Sequence, residues 1–85
     1  SLLMKIYNYK GKANLVGPQI HKARKDKHLS QDNLAAKMQL ENIEISQKVI
    51  SRIEKQERFV ADYELIAFAK VLNVDIYWLF EEEKK

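Results

Sequence analysis

The 85 residues contain no cysteine, so neither disulfides nor thiolate metal sites contribute to this fold. That absence fits a reducing compartment, and the cytoplasm is the expected location. The longest apolar runs, Leu65 to Ala69 and Ile76 to Phe80, fall far short of the roughly 18 to 20 residues a membrane span requires. No signal peptide is legible: Ser1-Leu2-Leu3 lacks a basic n-region and a continuous apolar stretch, and reads as a cloning remnant before Met4. Also missing are a nucleophile with a neighbouring base and a glycine-rich phosphate loop. Aspartate and glutamate are scattered, so no catalytic residue, no enzymatic activity and no cofactor are expected. His21 and His28, seven residues apart, are spaced too widely for a simple two-histidine metal pair and are expected at the surface, with no metal site.

Glycine and proline are scarce, limited to Gly11, Gly17 and Pro18. The Gly17-Pro18 pair divides a Tyr- and Lys-rich arm, residues 1–15, from a helical remainder over 16–80, with a frayed tail over 81–85. A core of this size supports roughly a few kcal/mol of net stability. It leaves no room for a separate effector-binding domain, so no small-molecule effector is expected.

Net charge is only +3, but it is unevenly placed. Residues 1 to 29 carry seven cationic side chains against Asp26 alone, residues 30 to 60 carry five of each sign, and the stretch from Ala61 carries six acids against three lysines. Such asymmetry suggests a basic face for a polyanion and an acidic end turned away from it.

Hydrophobic spacing predicts an all-α chain of five helices. Pro18 suits the first position of a helix running to about Lys27, with Ile20 and Ala23 inward and Leu29 closing the face. Ser30 is a good N-cap for helix 2, in which Leu34, Ala35 and Met38 share a face and Asn42 supplies a left-handed ending. Ser46 caps helix 3, about residues 46–56: Val49, Ile50 and Ile53 point inward, and Gln47, Lys48, Ser51 and Arg52 remain outside. Asp62 is expected to cap helix 4, whose Leu65, Ile66, Phe68, Ala69 and Leu72 form a core stripe ended by Asn73. Asp75 is expected to start a fifth helix containing Trp78 and Leu79. In the arm, Ile6, Tyr7 and Tyr9 alternate too briefly to fix a strand. The arm could pair with a second subunit, lie on DNA through Lys5, Lys10 and Lys12, or stay disordered.

The runs L-S-Q-D-N-L-A-A-K-M, S-Q-K-V-I-S-R-I-E and D-Y-E-L-I-A-F-A-K-V-L-N-V-D-I-Y-W-L-F resemble the helix-turn-helix family of phage repressors, Cro proteins and Xre-like regulators over about Val16 to Phe80. The resemblance implies a phage-repressor-like DNA-binding domain with helices 2 and 3 as the helix-turn-helix. Three features depart from it. The connector Gln39 to Ile45 is longer than the family's tight glycine turn, Lys55-Gln56 stands where Asn-Gly is frequent, and Val60 replaces a common proline. Ile43 and Ile45 suggest that the longer connector still packs down.

An exposed helix fits the major groove, where each base pair shows a distinct donor and acceptor pattern. The expected base contacts are Gln47, Lys48, Ser51 and Arg52; the resemblance places the first, second and last of these where phage repressors read bases. Each good bidentate pair is worth roughly 1 to 3 kcal/mol of discrimination. The expected phosphate contacts are Gln31, at a helix N-terminus that favours anions, Lys55, Arg58 and, more weakly, Ser46. Arg24 and Glu54 match family positions that form an ion pair beneath the recognition helix.

These features imply a sequence-specific regulator that binds double-stranded DNA as a homodimer, a repressor that blocks promoter access. Helix 5, with Ile76, Tyr77 and Phe80, and the arm are the candidate dimer surfaces. An antitoxin-like or scaffold module that binds another protein and contacts DNA only secondarily is the alternative.

Overall fold

A computed structural model describes residues 8–82. They form four α-helices: α1 (Gly17–Asp26), α2 (Gln31–Leu40), α3 (Gln47–Glu54) and α4 (Asp62–Leu72). A 3-10 turn, Trp78–Phe80, follows in place of the expected fifth helix, so that count is corrected. The reason is local. The segment lies between left-handed Asn73 and extended Glu81, and the Tyr77 amide donates to Asp75 Oδ1 (2.9 Å). Only i to i+3 bonds form, from Trp78 to Asp75 and from Leu79 to Ile76, because so short a stretch cannot offset helix nucleation.

One contiguous core is assembled from Val16, Ile20 and Ala23, Leu34 and Met38 of α2, Ile50 and Ile53 of α3, Ala67, Phe68 and Leu72 of α4, and Leu79. Helices α3 and α4 each pack on α1 and α2, and the 3-10 turn packs on α1. Gln19, buried on α1, holds that turn by donating from Nε2 to the Trp78 carbonyl (2.9 Å). Ile66, expected in the core stripe, is instead 62% exposed. It lies two positions from buried Phe68, about 200° around the helix, and Ala67 takes the inward place. The long connector does pack down: Ile43 and Ile45 lie against the core.

Caps fix where α2 and α3 begin. Ser30 Oγ accepts from the Asn33 amide (2.9 Å) while Asn33 Oδ1 accepts from the Ser30 amide (3.2 Å), a reciprocal box that satisfies two end donors. Ser46 Oγ accepts from the Val49 amide (3.2 Å). At α4 the expectation needs correction, because the cap position is Ala61 and Asp62 is already helical. Glu64 does the capping by accepting from the Ala61 amide (3.0 Å), and Arg58 holds that carboxylate through two bonds (2.7 and 3.2 Å).

All four helices end alike, through a left-handed residue that is not glycine: His28, Asn42, Gln56 and Asn73. At each end the next amide reaches back five residues, as in Leu29 to Arg24, Ile43 to Met38, Glu57 to Arg52 and Val74 to Ala69. This is the Schellman closure, which satisfies otherwise unpaired carbonyls. Only the two asparagines were legible as endings in the sequence. A left-handed conformation costs a side-chain-bearing residue roughly 1 to 2 kcal/mol, which glycine avoids.

The arm is tied down as it approaches α1. Asn14 donates from Nδ2 to the carbonyls of Ile53 (3.0 Å) and Arg58 (2.8 Å), and its Oδ1 accepts from the Gly17 amide (2.8 Å). The Ala13 amide and the Gln56 side chain add two further bonds between this segment and the end of α3. Before it, Tyr9 and Lys12 exchange backbone bonds (2.7 and 3.0 Å) across Lys10 and Gly11, both with positive φ. This is the two-residue turn that suits a hairpin. Lys5, Ile6 and Tyr7 lie outside the described residues. Gly17 is a close-approach site, since a Cβ there would collide with the Ile53 carbonyl oxygen.

Two substitutions test these points. Gly17→Ala is expected to destabilise the fold by about 2 kcal/mol, although helix propensity alone would favour alanine by about 1 kcal/mol; urea unfolding gives the sign. His28 is exposed and makes no side-chain hydrogen bond, so His28→Gly is expected to stabilise by about 1 kcal/mol in the same assay.

Candidate nucleic-acid interface

Helix α3 carries two unlike faces. Ile50 and Ile53 are fully buried, and Val49 is half-buried against the core. Gln47, Lys48, Arg52 and Lys55 are exposed, and Ser51 is half-buried beside them. The short helix is held from below by an ion pair. Arg24 donates from Nε to Glu54 Oε2 (2.6 Å) and from Nη2 to Oε1 (3.0 Å), with the two side chains only 8% and 5% exposed. Nη1 of Arg24 also caps the α1 ending by donating to the Leu29 carbonyl (2.7 Å). A single guanidinium therefore joins α1, the turn after it and α3.

Glu54 Oε1 has two more donors, His21 Nδ1 (2.8 Å) and Gln31 Nε2 (3.0 Å). Burial works to raise the Glu54 pKa, but the hydrogen bonds from Arg24, His21 and Gln31 and the charge of Arg24 outweigh it. The carboxyl is held below its ordinary value of 4.5.

From Glu54 the hydrogen-bond polarity runs outward. A carboxylate only accepts, so Gln31 must turn its amide nitrogen inward, and its Oε1 then faces Gln47. Gln47 Nε2 donates to that oxygen (2.6 Å). Gln47 is left with one carbonyl oxygen and one N–H to present to solvent, in a fixed order. Sequence spacing could not reveal this chain, because Gln31 and Gln47 stand on different helices.

Beside it lies an open recess of about 410 Å³, lined by Pro18 and His21 of α1, Gln31 of α2, and Ser51, Glu54 and Lys55 of α3 and its end. The residues expected at DNA occupy different settings. Gln31, Gln47, Lys48, Ser51, Arg52 and Lys55 cluster on α3 or against it. Ser46 has its hydroxyl engaged in capping. Arg58 has its terminal nitrogens on Glu64 and the Phe59 carbonyl. Asn14, Gln19 and Glu64 organise the structure around the site and were not singled out in the sequence; the capping-box spacing from Ala61 to Glu64 lacks the Ser or Thr that signals one. Among the described residues there is no cluster of metal-ligating side chains, and no helix is long and apolar enough to cross a membrane.

Two helices joined in this way, the second presenting a polar and basic face above a buried ion pair, define a helix-turn-helix domain. The sequence profile of the helix-turn-helix family HTH_3 matches residues 20–79, and the chain belongs to that family, whose members are Cro-type and Xre-like DNA-binding transcription regulators. No curated protein and no solved structure matches the chain.

The Glu54 cluster gives a pH test. A carboxyl with a depressed pKa contributes stability above about pH 4.5 that is lost as pH falls through its folded value. Glu54→Gln strands Arg24 and is expected to cost about 3 kcal/mol near neutrality. The stability gap between wild type and E54Q, read by urea unfolding across an acid series, should shrink below about pH 4.5.

Proposed function

We propose that this protein is a sequence-specific regulator that lays α3 in the major groove of double-stranded DNA and represses transcription as a homodimer. The supporting observation is the hydrogen-bonded order Glu54–Gln31–Gln47, which sets a donor and an acceptor side by side at the start of an exposed helix. Adenine offers the complementary pair, its N7 acceptor and N6 donor, and Gln is a bidentate partner for it. Arg52, exposed one turn and a half further along, suits guanine O6 and N7, while Lys48 reaches guanine or a phosphate and Ser51 contacts a neighbouring edge.

Backbone contacts come from Gln31 and Lys55, on either side of the recess. Ser46 and Arg58 add weaker ones. Residues 16–80 act as the DNA-binding unit, with the arm and tail as appendages. One α3 reads only a few base pairs, so a homodimer on two half-sites about one DNA turn apart supplies usable specificity. Tyr77, 80% exposed, and Phe80 offer it an apolar surface.

Selection of bound oligonucleotides from a random pool tests this reading. The expected consensus contains adenine and guanine steps in two symmetric halves. Gln47→Ala should lose about 1 to 3 kcal/mol of discrimination at the adenine position, whereas Lys55→Ala should weaken all sequences alike and reduce the salt slope by about one. Equal affinity for every sequence would instead favour a scaffold role.

A further inference from the structure

His21 is the one polar side chain of the recess to which the reading above gives no part in binding. It stands at the start of the second turn of α1, 52% exposed, with Nδ1 2.8 Å from Glu54 Oε1. Arg24 Nη2 lies 3.3 Å from the same nitrogen but also 3.0 Å from Glu54 Oε1. The carboxylate cannot donate, so the proton between His21 and Glu54 must sit on Nδ1. The bond thereby sets the tautomer. In a neutral ring Nε2 is then a bare acceptor, and it has no protein partner among the described residues.

The ring is half exposed and lines the recess together with Gln31, Ser51 and Lys55. A neutral His21 offers only a lone pair there, which repels a phosphate oxygen. A protonated His21 keeps its bond to Glu54 and offers a second N–H, plus a positive charge. The charged groups that bond the ring or line the recess are Arg24 on its own helix, Glu54 of α3, and Lys55 after it; α2 contributes the uncharged Gln31, and Lys25 follows His21 by four positions on α1. Arg24 and Glu54 offset each other, so a second cation beside Lys55 changes the recess from singly to doubly positive.

We propose that His21 is a proton-linked ligand for a DNA backbone phosphate, seated in this recess with Lys55, Gln31 and Ser51, so that DNA binding takes up a proton at His21. The inference rests on the DNA-binding reading and adds to it a site and a pH dependence. Of the side chains lining the recess, only the imidazole has a second ring nitrogen that can take up a proton and then donate to a phosphate. Because association favours the protonated ring, affinity rises as pH falls.

The test measures affinity for a pool of short random-sequence duplexes at about pH 7.5 and pH 6.0, at constant ionic strength, with circular dichroism confirming that every variant is folded. Wild type should tighten by about three- to ten-fold at the lower pH, within what uptake of one proton allows. His21→Gln keeps a donor for Glu54 but cannot titrate, and should lose that gain. His28→Gln should retain it. His21→Lys should bind at both pH values at least as tightly as wild type does at pH 6.0. If H21Q keeps the full wild-type pH dependence, or H21K is no tighter than H21Q, the His21 assignment is overturned while DNA binding stands. If folded wild type shows no salt-dependent affinity for duplex at either pH, the DNA-binding reading falls and the His21 site with it.

Discussion

The carboxylate of Glu54 is the point on which this structure depends. It lies at the end of a helix only eight residues long, too short to hold its shape alone in water. Two donors from Arg24 anchor it to α1, and Gln31 links it to α2, so the buried ends of three helices share one anion. Such a pair gains little over an apolar pair of equal volume, since desolvation offsets the Coulomb attraction. Its value is directional: an acceptor-only group at the bottom dictates which way each amide above it must face. The orientation of Gln47, on the surface, follows from a carboxylate 5% exposed beneath it.

A second constraint is the shortage of glycine. Four helices must stop within a small domain, and each does so through a residue with a side chain in a left-handed conformation. The Schellman bonds and the packing they allow offset that cost. At the end of α3 the left-handed residue, Gln56, also binds the segment before α1 through its own carbonyl and side chain. A glycine there would relieve the backbone but remove the side-chain bond from Gln56 to Asn14. Of the two glycines, Gly17 is spent on contact with the Ile53 carbonyl, where no Cβ fits.

Much of the fold was legible from spacing. Ser30 and Ser46 announced α2 and α3, and Leu34, Met38, Ile50 and Ile53 announced the faces they bury, because a cap and a 3.6-residue stripe are local properties. The errors have local causes too. Ile66 counts as apolar wherever it falls, and a broad stripe on α4 could not say which edge the core would cover. Asp62 is a favoured cap residue, but Glu64, fixed by Arg58, moved the cap one position earlier. The segment after Asp75 has helical composition yet too few residues to propagate one.

For the site, the sequence by itself determined which side chains stand on the outer face of α3, because helical periodicity separates Gln47, Lys48, Ser51 and Arg52 from the isoleucines. It also carried the family resemblance over most of its length. Only the tertiary structure decided how those side chains are oriented and which are already engaged. Gln31 meets Gln47, His21 meets Glu54 and Arg58 meets Glu64 through bonds whose direction depends on donor and acceptor geometry, in two cases between separate helices. No spacing rule reaches across such contacts, since they are set by how the helices pack and by the single buried anion that the packing encloses.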